Sequence, residues 1–244
     1  MKLRLLKYLL LLCVWLGAFP FARAQPSLSI YLESGENNVS EGLFIRTAAF
    51  GEYRFGKNSL RGGLQLDLKG PGTKFLTGAS INLAREFSIR EFPFEIHALY
   101  SHNRFSELLY EYNLGVVCKV NIRNLTFRLG NNFRTYGLTK YAVREYAVDS
   151  DNKIHENFNL MYLVAYHLNP AEHYWNVSLS VTNIDHFIIE QETNPVLFLR
   201  GEYNISSPLT VFAELWYKTA GSFNLSINYF GFFFRTGLIW NINL

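Results

Sequence analysis

The last stretch of the chain alternates between apolar and polar positions. Every second residue from Phe232 to Leu244 is apolar or Thr, whereas Arg235 and Asn241 stand between them. A period of two is typical of a β-strand with one apolar and one polar face. The same alternation recurs along most of the chain. This pattern predicts a closed, membrane-spanning β-barrel whose apolar face contacts lipid.

The alternation predicts thirteen strand segments. They cover residues 27 to 33, 42 to 55, 60 to 69, 75 to 87, 92 to 102, 108 to 120, 125 to 136, 157 to 168, 174 to 182, 196 to 204, 209 to 218, 222 to 229 and 232 to 244. Single-chain bacterial barrels have even strand numbers. Either a short strand near 186 to 192 makes fourteen, or the first segment is a tail and twelve remain. We therefore predict an all-β, closed antiparallel transmembrane barrel of 12 to 14 strands.

The apolar phase changes between the last two predicted segments. It lies on odd positions from Phe223 to Tyr229 and on even positions from Phe232 onward. This shift across Phe230 and Gly231 predicts a tight hairpin or a β-bulge.

A soluble β-sandwich would also alternate, but three features favour the barrel. Many segments are ten residues or longer, whereas strands in globular proteins average about five or six. Short turns alternate with longer loops. Aromatic residues lie toward the ends of the apolar faces, as membrane interfaces require; they are Tyr53, Phe87, Tyr100, Tyr112, Tyr166, Trp175, Tyr217 and Trp240.

The first 24 residues have the features of a secretory signal peptide. A basic start precedes an apolar run over residues 9 to 18, and Ala22-Arg23-Ala24 provides a cleavage site. Residues 25 to 244 form one predicted barrel domain. Removing the signal takes away four cations and no acid, so the formal net charge falls from +3 to −1. This charge gives no reason to expect a nucleic-acid partner. Cys118 remains as a single cysteine and predicts no disulfide.

These features together resemble bacterial outer-membrane β-barrel proteins. The resemblance covers the mature chain and is most like proteins of the Bacteroidota, which often have Gln after the cleavage site, as Gln25 is here. The final strand is similar to the signal that such proteins present to the barrel-insertion machinery, with Trp240, Ile242 and Leu244 in the alternate apolar positions. Leu244 departs from the usual terminal Phe. The resemblance implies outer-membrane lipid and the insertion machinery as partners.

The polar face would line the lumen and carries charges of both signs. Its charged residues are Arg46, Glu52, Arg54, Arg61, Asp67, Lys69, Glu86, Glu95, Glu111, Lys119, Arg128, Arg134, Arg200, Glu202, Glu214 and Arg235. They could form a charged pore wall or a network of cross-strand ion pairs that fills a narrow barrel. The mixed signs favour the filled lumen, as do the bulky lumen residues Phe44, Phe50, Phe198, Phe212 and Trp216.

Candidate catalytic and metal-binding residues are few. Ser101 and His102 invite comparison with outer-membrane lipid hydrolases, but adjacent residues of a strand point to opposite faces. Asp149, Asp151, Asn152 and Glu156 could hold calcium, although they lack the spacing of an EF-hand. His155, His167, His173 and His186 show no metal-binding motif, and no phosphate-binding loop is present. We expect no metal and no cofactor.

These observations leave three functional hypotheses. The favoured one is a non-enzymatic outer-membrane barrel that acts through extracellular loops 35 to 41, 102 to 107, 137 to 156 and 183 to 194, or as a component of an envelope or secretion assembly with protein partners. The alternatives are a small passive porin and a lipid hydrolase.

Overall fold

The computed structural model describes residues 25–37, 43–69, 76–89, 92–104, 109–146, 153–168, 174–188, 191–218 and 230–242. Within these residues the chain forms a closed barrel of twelve strands. The signal peptide predicted for residues 1 to 24 lies outside the described residues.

Consecutive strands are hydrogen-bonded antiparallel neighbours around the whole barrel. The strands are β1 (Gln25–Asn37), β2 (Leu43–Phe55), β3 (Asn58–Lys69), β4 (Leu76–Ile89), β5 (Phe92–Arg104), β6 (Leu109–Ile122), β7 (Leu125–Leu138), β8 (Ile154–His167), β9 (Trp175–Ile184), β10 (Gln191–Ser206), β11 (Leu209–Lys218) and β12 (Phe230–Asn241). The seam between β1 and β12 closes the sheet, with Glu33 opposite Arg235. Because the sheet is closed, it has no unpaired edge.

The predicted alternation correctly separates the two faces of the sheet. Apolar residues point outward, as Leu64 at 52% and Leu129 at 62% exposure illustrate. Residues of the opposite face, such as Phe50 and Glu111, are buried in the lumen. Arg85, the one charged residue in an apolar position of its segment, is on the outer face, where its guanidinium lies 5.4 Å from the ring of Phe87.

The strand number agrees with the predicted range, although the strands differ in part from the predicted segments. The first segment is a full strand, β1, and not a tail. The segment 222 to 229 lies outside the described residues, and β11 pairs directly with β12. The extra strand predicted near 186 to 192 is wrong, because residues 185 to 188 form a turn and Gln191 already belongs to β10.

A register shift accompanies the phase change at Phe230 and Gly231. Gly35 pairs with Phe233, whereas Asn37 pairs with Phe230, so β12 has one more residue than β1 in this interval. The register of β12 against β1 is therefore irregular at this point, whereas the residues before Phe230 that enter the predicted phase change lie outside the described residues.

The connections differ in length between the two ends of the barrel. The end that carries Gln25 and Ile242, here called the terminal end, has tight turns such as 56–57, 123–124 and 207–208. The longer connections meet at the opposite, loop end. The predicted loops begin later than expected, because β1 reaches Asn37 and β5 reaches Arg104.

The longest predicted loop, 137 to 156, contains regular structure. Strand β7 extends to Leu138, β8 begins at Ile154, and α1 (Lys140–Glu145) lies between them. The Thr139 side chain accepts a hydrogen bond from the backbone N–H of Ala142 and caps this helix. Among the described residues, no helix is long and apolar enough to cross a membrane.

Glycines on the lumen face make room for aromatic rings from neighbouring strands. A Cβ added at Gly63 would overlap Cδ1 of Phe50 and would lie 2.6 Å from the carbonyl oxygen of Ala49. At Gly237 an added Cβ would lie 2.7 Å from Cζ of Phe212. The rings therefore lie across the glycines and cover their backbone, which fills the lumen without spreading the strands.

This packing predicts that Gly63→Val destabilises the barrel. Because the new side chain must displace the Phe50 ring, we expect a loss of about 1–3 kcal/mol in the free energy of unfolding. Gly51→Val is the matched control, since an added Cβ there has no atom within 4 Å. Urea unfolding in lipid vesicles, followed by tryptophan fluorescence, measures both variants. Equal stability of the two would show that the Phe50 ring can move aside.

Candidate functional site

The lumen contains a continuous row of alternating charges that crosses the seam of the barrel. Six consecutive strands contribute: β3, β2, β1, β12, β11 and β10. In order, the residues are Asp67, Arg46, Glu33, Arg235, Glu214, Arg200 and Glu202. Each acid–base pair up to Arg200 joins residues that are directly opposite in the strand register. We call this row the seam ion row.

Arg235 is the centre of the seam ion row. Its Nη2 donates to Glu33 at 2.8 Å and its Nη1 donates to Glu214 at 3.0 Å. The guanidinium also lies 4.3 Å from the centre of the Tyr31 ring. All three side chains of this ion triad are nearly inaccessible to solvent. Buried charges need such complete pairing, because removal from water is costly.

Glu214 forms ion pairs with two arginines. One carboxylate oxygen accepts from Arg200 and the other accepts from Arg235. The indole N–H of Trp216 also donates to Glu214, at 3.1 Å. Arg46 extends the row in the other direction, where its Nε donates to Asp67 at 3.0 Å.

A second polar cluster occupies the opposite wall of the lumen. Arg134 donates to Glu111 at 2.8 Å, and Asn113 donates to both Glu111 and Ser101. Asn132 completes the cluster by donating to Asn113 at 2.7 Å. This wall is therefore cross-linked through strands β5, β6 and β7.

Lys119 and Glu95 form a separate pair on the same wall. Lys119 donates to Glu95 at 2.8 Å, and Nε2 of His97 lies 3.4 Å from the same carboxylate. Glu52 pairs with Arg54, whose side chain is 67% exposed near the turn after β2. The structure therefore brings most of the predicted lumen charges into pairs.

Arg61 and Arg128 are the exceptions among the predicted lumen arginines. Neither forms an ion pair within the part of the chain that the structure describes. Arg61 instead lies 4.4 Å from the centre of the Phe187 ring and 5.2 Å from that of Phe50. Arg128 has no such aromatic partner among the described rings.

A turn between β9 and β10 lies inside the lumen. We call residues Asp185 to Ile188 the plug turn. Strand β9 pairs with β8 only as far as Thr182. Beyond this point the Asn183 side chain donates to the carbonyl of Leu160 and accepts from the N–H of Tyr162, both in β8. The backbone beyond Asn183 can therefore leave the sheet without exposing unpaired polar groups of β8.

Contacts with both walls hold the plug turn in the lumen. The Phe187 ring lies 4.8 Å from that of Tyr31 and 4.9 Å from that of Phe50. Asp185 lies 3.5 Å from Nη2 of Arg235. Ile188 packs with Leu99, Val117, Met161, Leu163, Ala165 and Ile184. The prediction that residues 183 to 194 form an outward loop is therefore wrong for these four residues, because aromatic and ionic partners hold them in the lumen.

The plug turn has two further unusual features. Ile188 has a φ of 55°, which is strained for a β-branched residue. Strain of this kind persists only where surrounding contacts fix the backbone. Enclosure by the barrel lowers the pKa of His186 well below its ordinary value, and the nearby cations Arg200 and Arg61 lower it further.

Ser101 and His102 do not form a catalytic pair. Ser101 is buried in the lumen and accepts from Asn113 at 3.2 Å. His102 belongs to the outer face, where its ring stacks on Tyr112 at 4.5 Å. The sheet therefore separates the two side chains, as their adjacency on a strand predicts.

The predicted calcium ligands are only partly described. Asp149, Asp151 and Asn152 lie outside the described residues, whereas Glu156 belongs to β8 opposite Arg134. No group of three metal-binding side chains occurs in the described ranges.

Two residues of the predicted insertion signal belong to the described part of the chain. Trp240 is half exposed on the outer face, and the Ile242 N–H donates to the carbonyl of Pro26 at 2.8 Å. Leu244 lies outside the described residues.

Sequence reasoning missed two residues of the site. Glu33 accepts bonds from Arg235 and Gln65, yet it did not enter the predicted network. Its alternation with Ile30 and Leu32 already placed it on the polar face. Asp185 carried no such signal, because it follows the end of a strand.

Comparison with known proteins supports the fold. No protein-family model matches the chain, and no curated protein matches it. A solved structure of the KdgM porin matches with a TM-score of 0.51 and 9% identity, and covers 88% of this chain and 99% of the other. The KdgM porin in complex with disordered oligogalacturonate gives a TM-score of 0.50 at 10% identity, with the same coverage. The chain therefore has the closed-barrel fold of bacterial outer-membrane proteins.

The seam ion row predicts a large effect of Glu214→Gln. This change leaves two buried arginines with too little negative charge, so we expect a loss of about 3–5 kcal/mol in the free energy of unfolding. Glu52→Gln is the control, because its partner Arg54 is exposed and such pairs contribute about 0–1 kcal/mol. Urea unfolding of both variants in lipid vesicles provides the comparison. Similar losses would contradict a special role of the seam.

Proposed function

We propose that this chain is a non-enzymatic integral outer-membrane barrel whose lumen is closed by the plug turn. It would act through its loop end or as part of an envelope assembly, and not as an open passage for solutes. The observation that carries the proposal is the position of Phe187, which lies between the rings of Tyr31 and Phe50 while Asp185 approaches Arg235. The closed-barrel fold and the half-exposed apolar outer face support a position in the outer membrane.

The packing of the lumen supports closure. Phe44, Phe198, Trp216 and Phe233 form one buried cluster with Val196. The ring of Trp216 stacks on that of Phe233 at 5.2 Å. Aromatic side chains packed in this way leave little room for a hydrated path.

The loop end supports a binding role. Helix α1 exposes Tyr141 at 44%, and Tyr146 directly after it is 61% exposed. Exposed aromatics on loops held by a rigid sheet are suited to contact a partner. A protein partner in the envelope therefore fits this end better than a small solute does.

A passive porin is the second candidate. It is favoured by the two KdgM porin structures, whose likeness to this chain concerns the fold. Under this alternative the plug turn would narrow the lumen without closing it. The lipid-hydrolase alternative has less support, because Ser101 and His102 are on opposite faces of β5.

Planar-bilayer recording distinguishes closure from passage. We expect the mature protein to give no discrete conductance steps. The double variant Asp185→Asn with Phe187→Ala should give reproducible steps, because it removes the ionic and aromatic contacts that hold the plug turn. Phe158→Ala, on the outer face at 73% exposure, is the control and should remain silent.

Two results would contradict the proposal. Discrete steps from the unchanged protein would establish an open lumen and favour the porin. Silence of the double variant, with correct folding shown by faster gel migration before boiling, would mean that the plug turn is not the closure.

A further inference from the structure

A cavity of about 420 Å³ lies in the lumen on the terminal side of the plug turn. Its wall runs from His186 of the plug turn to Arg123 in the turn after β6 and to Asn176 near the start of β9. Because Arg123 and Asn176 belong to the terminal end, the cavity opens there. Its volume is in the range of about 300–1,000 Å³ that is usual for small-molecule sites.

Short side chains on two neighbouring strands create this cavity. Ala165 of β8 is opposite Ser180 of β9, and the next lumen pair is His167 with Ser178. All three of the short residues, Ala165, Ser178 and Ser180, line the cavity. The corresponding positions near the seam carry long or aromatic residues that fill the lumen. The space is therefore built into the strands and does not depend on a loop.

The lining of the cavity is strongly cationic. Lys119, Arg123, Arg128 and Arg200 contribute positive charge, and Glu202 is the acid among the lining residues. Glu202 is already engaged, because Arg200 donates to it at 2.7 Å and Asn176 donates to it at 3.4 Å. Lys119 is paired with Glu95 outside the lining, so Arg123 and Arg128 are the lining cations that form no ion pair among the described residues.

Arg128 is the least satisfied of these cations. Its Nε and Nη1 are enclosed and have no hydrogen-bond partner among the described residues. It is also directly opposite Lys119 in the ladder between β6 and β7. Like charges in this relation repel each other. By contrast, Arg134 on the same strand has the carboxylate of Glu111 as its partner.

Arg200 offers a further donor from the far wall. Its Nε and Nη1 bind Glu202 and Glu214, whereas its Nη2 is enclosed and has no partner among the described groups. Two arginines with unused donors thus border one cavity from β7 and β10. An arginine fork is well matched to the two oxygens of a carboxylate or phosphate.

We propose that this cavity binds a small anion bearing carboxylate or phosphate groups, which enters from the terminal end and pairs with Arg128. Lys119, which also binds Glu95, and Arg200, which also binds Glu202 and Glu214, would contribute further donors. The bound anion would pair with Arg128, the lining arginine that lies opposite Lys119 in the strand register and forms no ion pair among the described residues. All lining residues other than His186 belong to strands β6 to β10 or to the turn after β6, so a failure of the closure proposed above would leave the arginines of the site in place.

Isothermal titration of the mature protein in non-ionic detergent at low ionic strength tests the site. The two probes are pyrophosphate and citrate, titrated separately, and maltose is the uncharged control. We expect saturable one-to-one binding of at least one anion and none of maltose. Arg128→Gln should weaken the binding at least tenfold. Arg85→Gln changes the net charge equally but removes an exposed outer-face arginine, so it should leave the affinity unchanged.

A second variant makes the test independent of charge. Ser180→Leu adds volume inside the cavity without altering any ionised group, and it should also abolish binding. Faster gel migration before boiling establishes that each variant is folded. Absence of saturable binding with both anions would overturn the proposal. Equal losses in Arg128→Gln and Arg85→Gln would also overturn it, since they would indicate only general attraction to a cationic surface.

Discussion

The ion triad of Glu33, Arg235 and Glu214 is the interaction on which the barrel depends most. It joins the first strand to the last and the last strand to its other neighbour. A closed sheet forms only when its terminal strands meet in one register, and a slip by one residue would turn every side chain to the wrong face. A buried arginine between two buried carboxylates penalises such a slip heavily, because the slip would leave charges unpaired. The triad thus fixes the register at the seam as well as stabilising it.

The plug turn follows from the same triad. The flat face of the Arg235 guanidinium lies over the Tyr31 ring, and its Nη2 also donates to Asp185. The turn completes a site that the seam has already arranged, and Phe187 fills the space between Tyr31 and Phe50. Strand β9 permits this because Asn183 replaces part of its pairing with β8. The plug turn therefore fills the lumen because the pairing of β9 with β8 ends early and the seam ion row provides partners for the residues that follow.

The sequence predicted the faces of the strands well because alternation reports directly on which side is buried. It could not settle the strand number, since alternation does not show which segments pair with each other. The position of Glu33 on the lumen face could have been predicted, because Ile30 and Leu32 define the opposite, apolar face of its strand. The plug turn could not have been predicted from the sequence. Its direction depends on contacts with Tyr31, Phe50 and Arg235, which are far away in the chain, and the positive φ of Ile188 has no sequence signal.

The distribution of acids explains why the lumen has two different halves. Near the seam, acids and bases alternate from strand to strand, so each charge has an opposite neighbour and the side chains pack closely. On the wall of β6 and β7, Lys119 forms an ion pair with Glu95. Arg128 lies opposite Lys119 and forms no ion pair among the described residues. Arg61 also lacks an acidic partner among the described residues, and its guanidinium lies against the ring of Phe187 instead. Arg128 has no ring partner among the described residues and borders the short side chains of the cavity instead. Of the two arginines that lack an ion pair in the described part of the chain, Arg128 is therefore the one beside the open space.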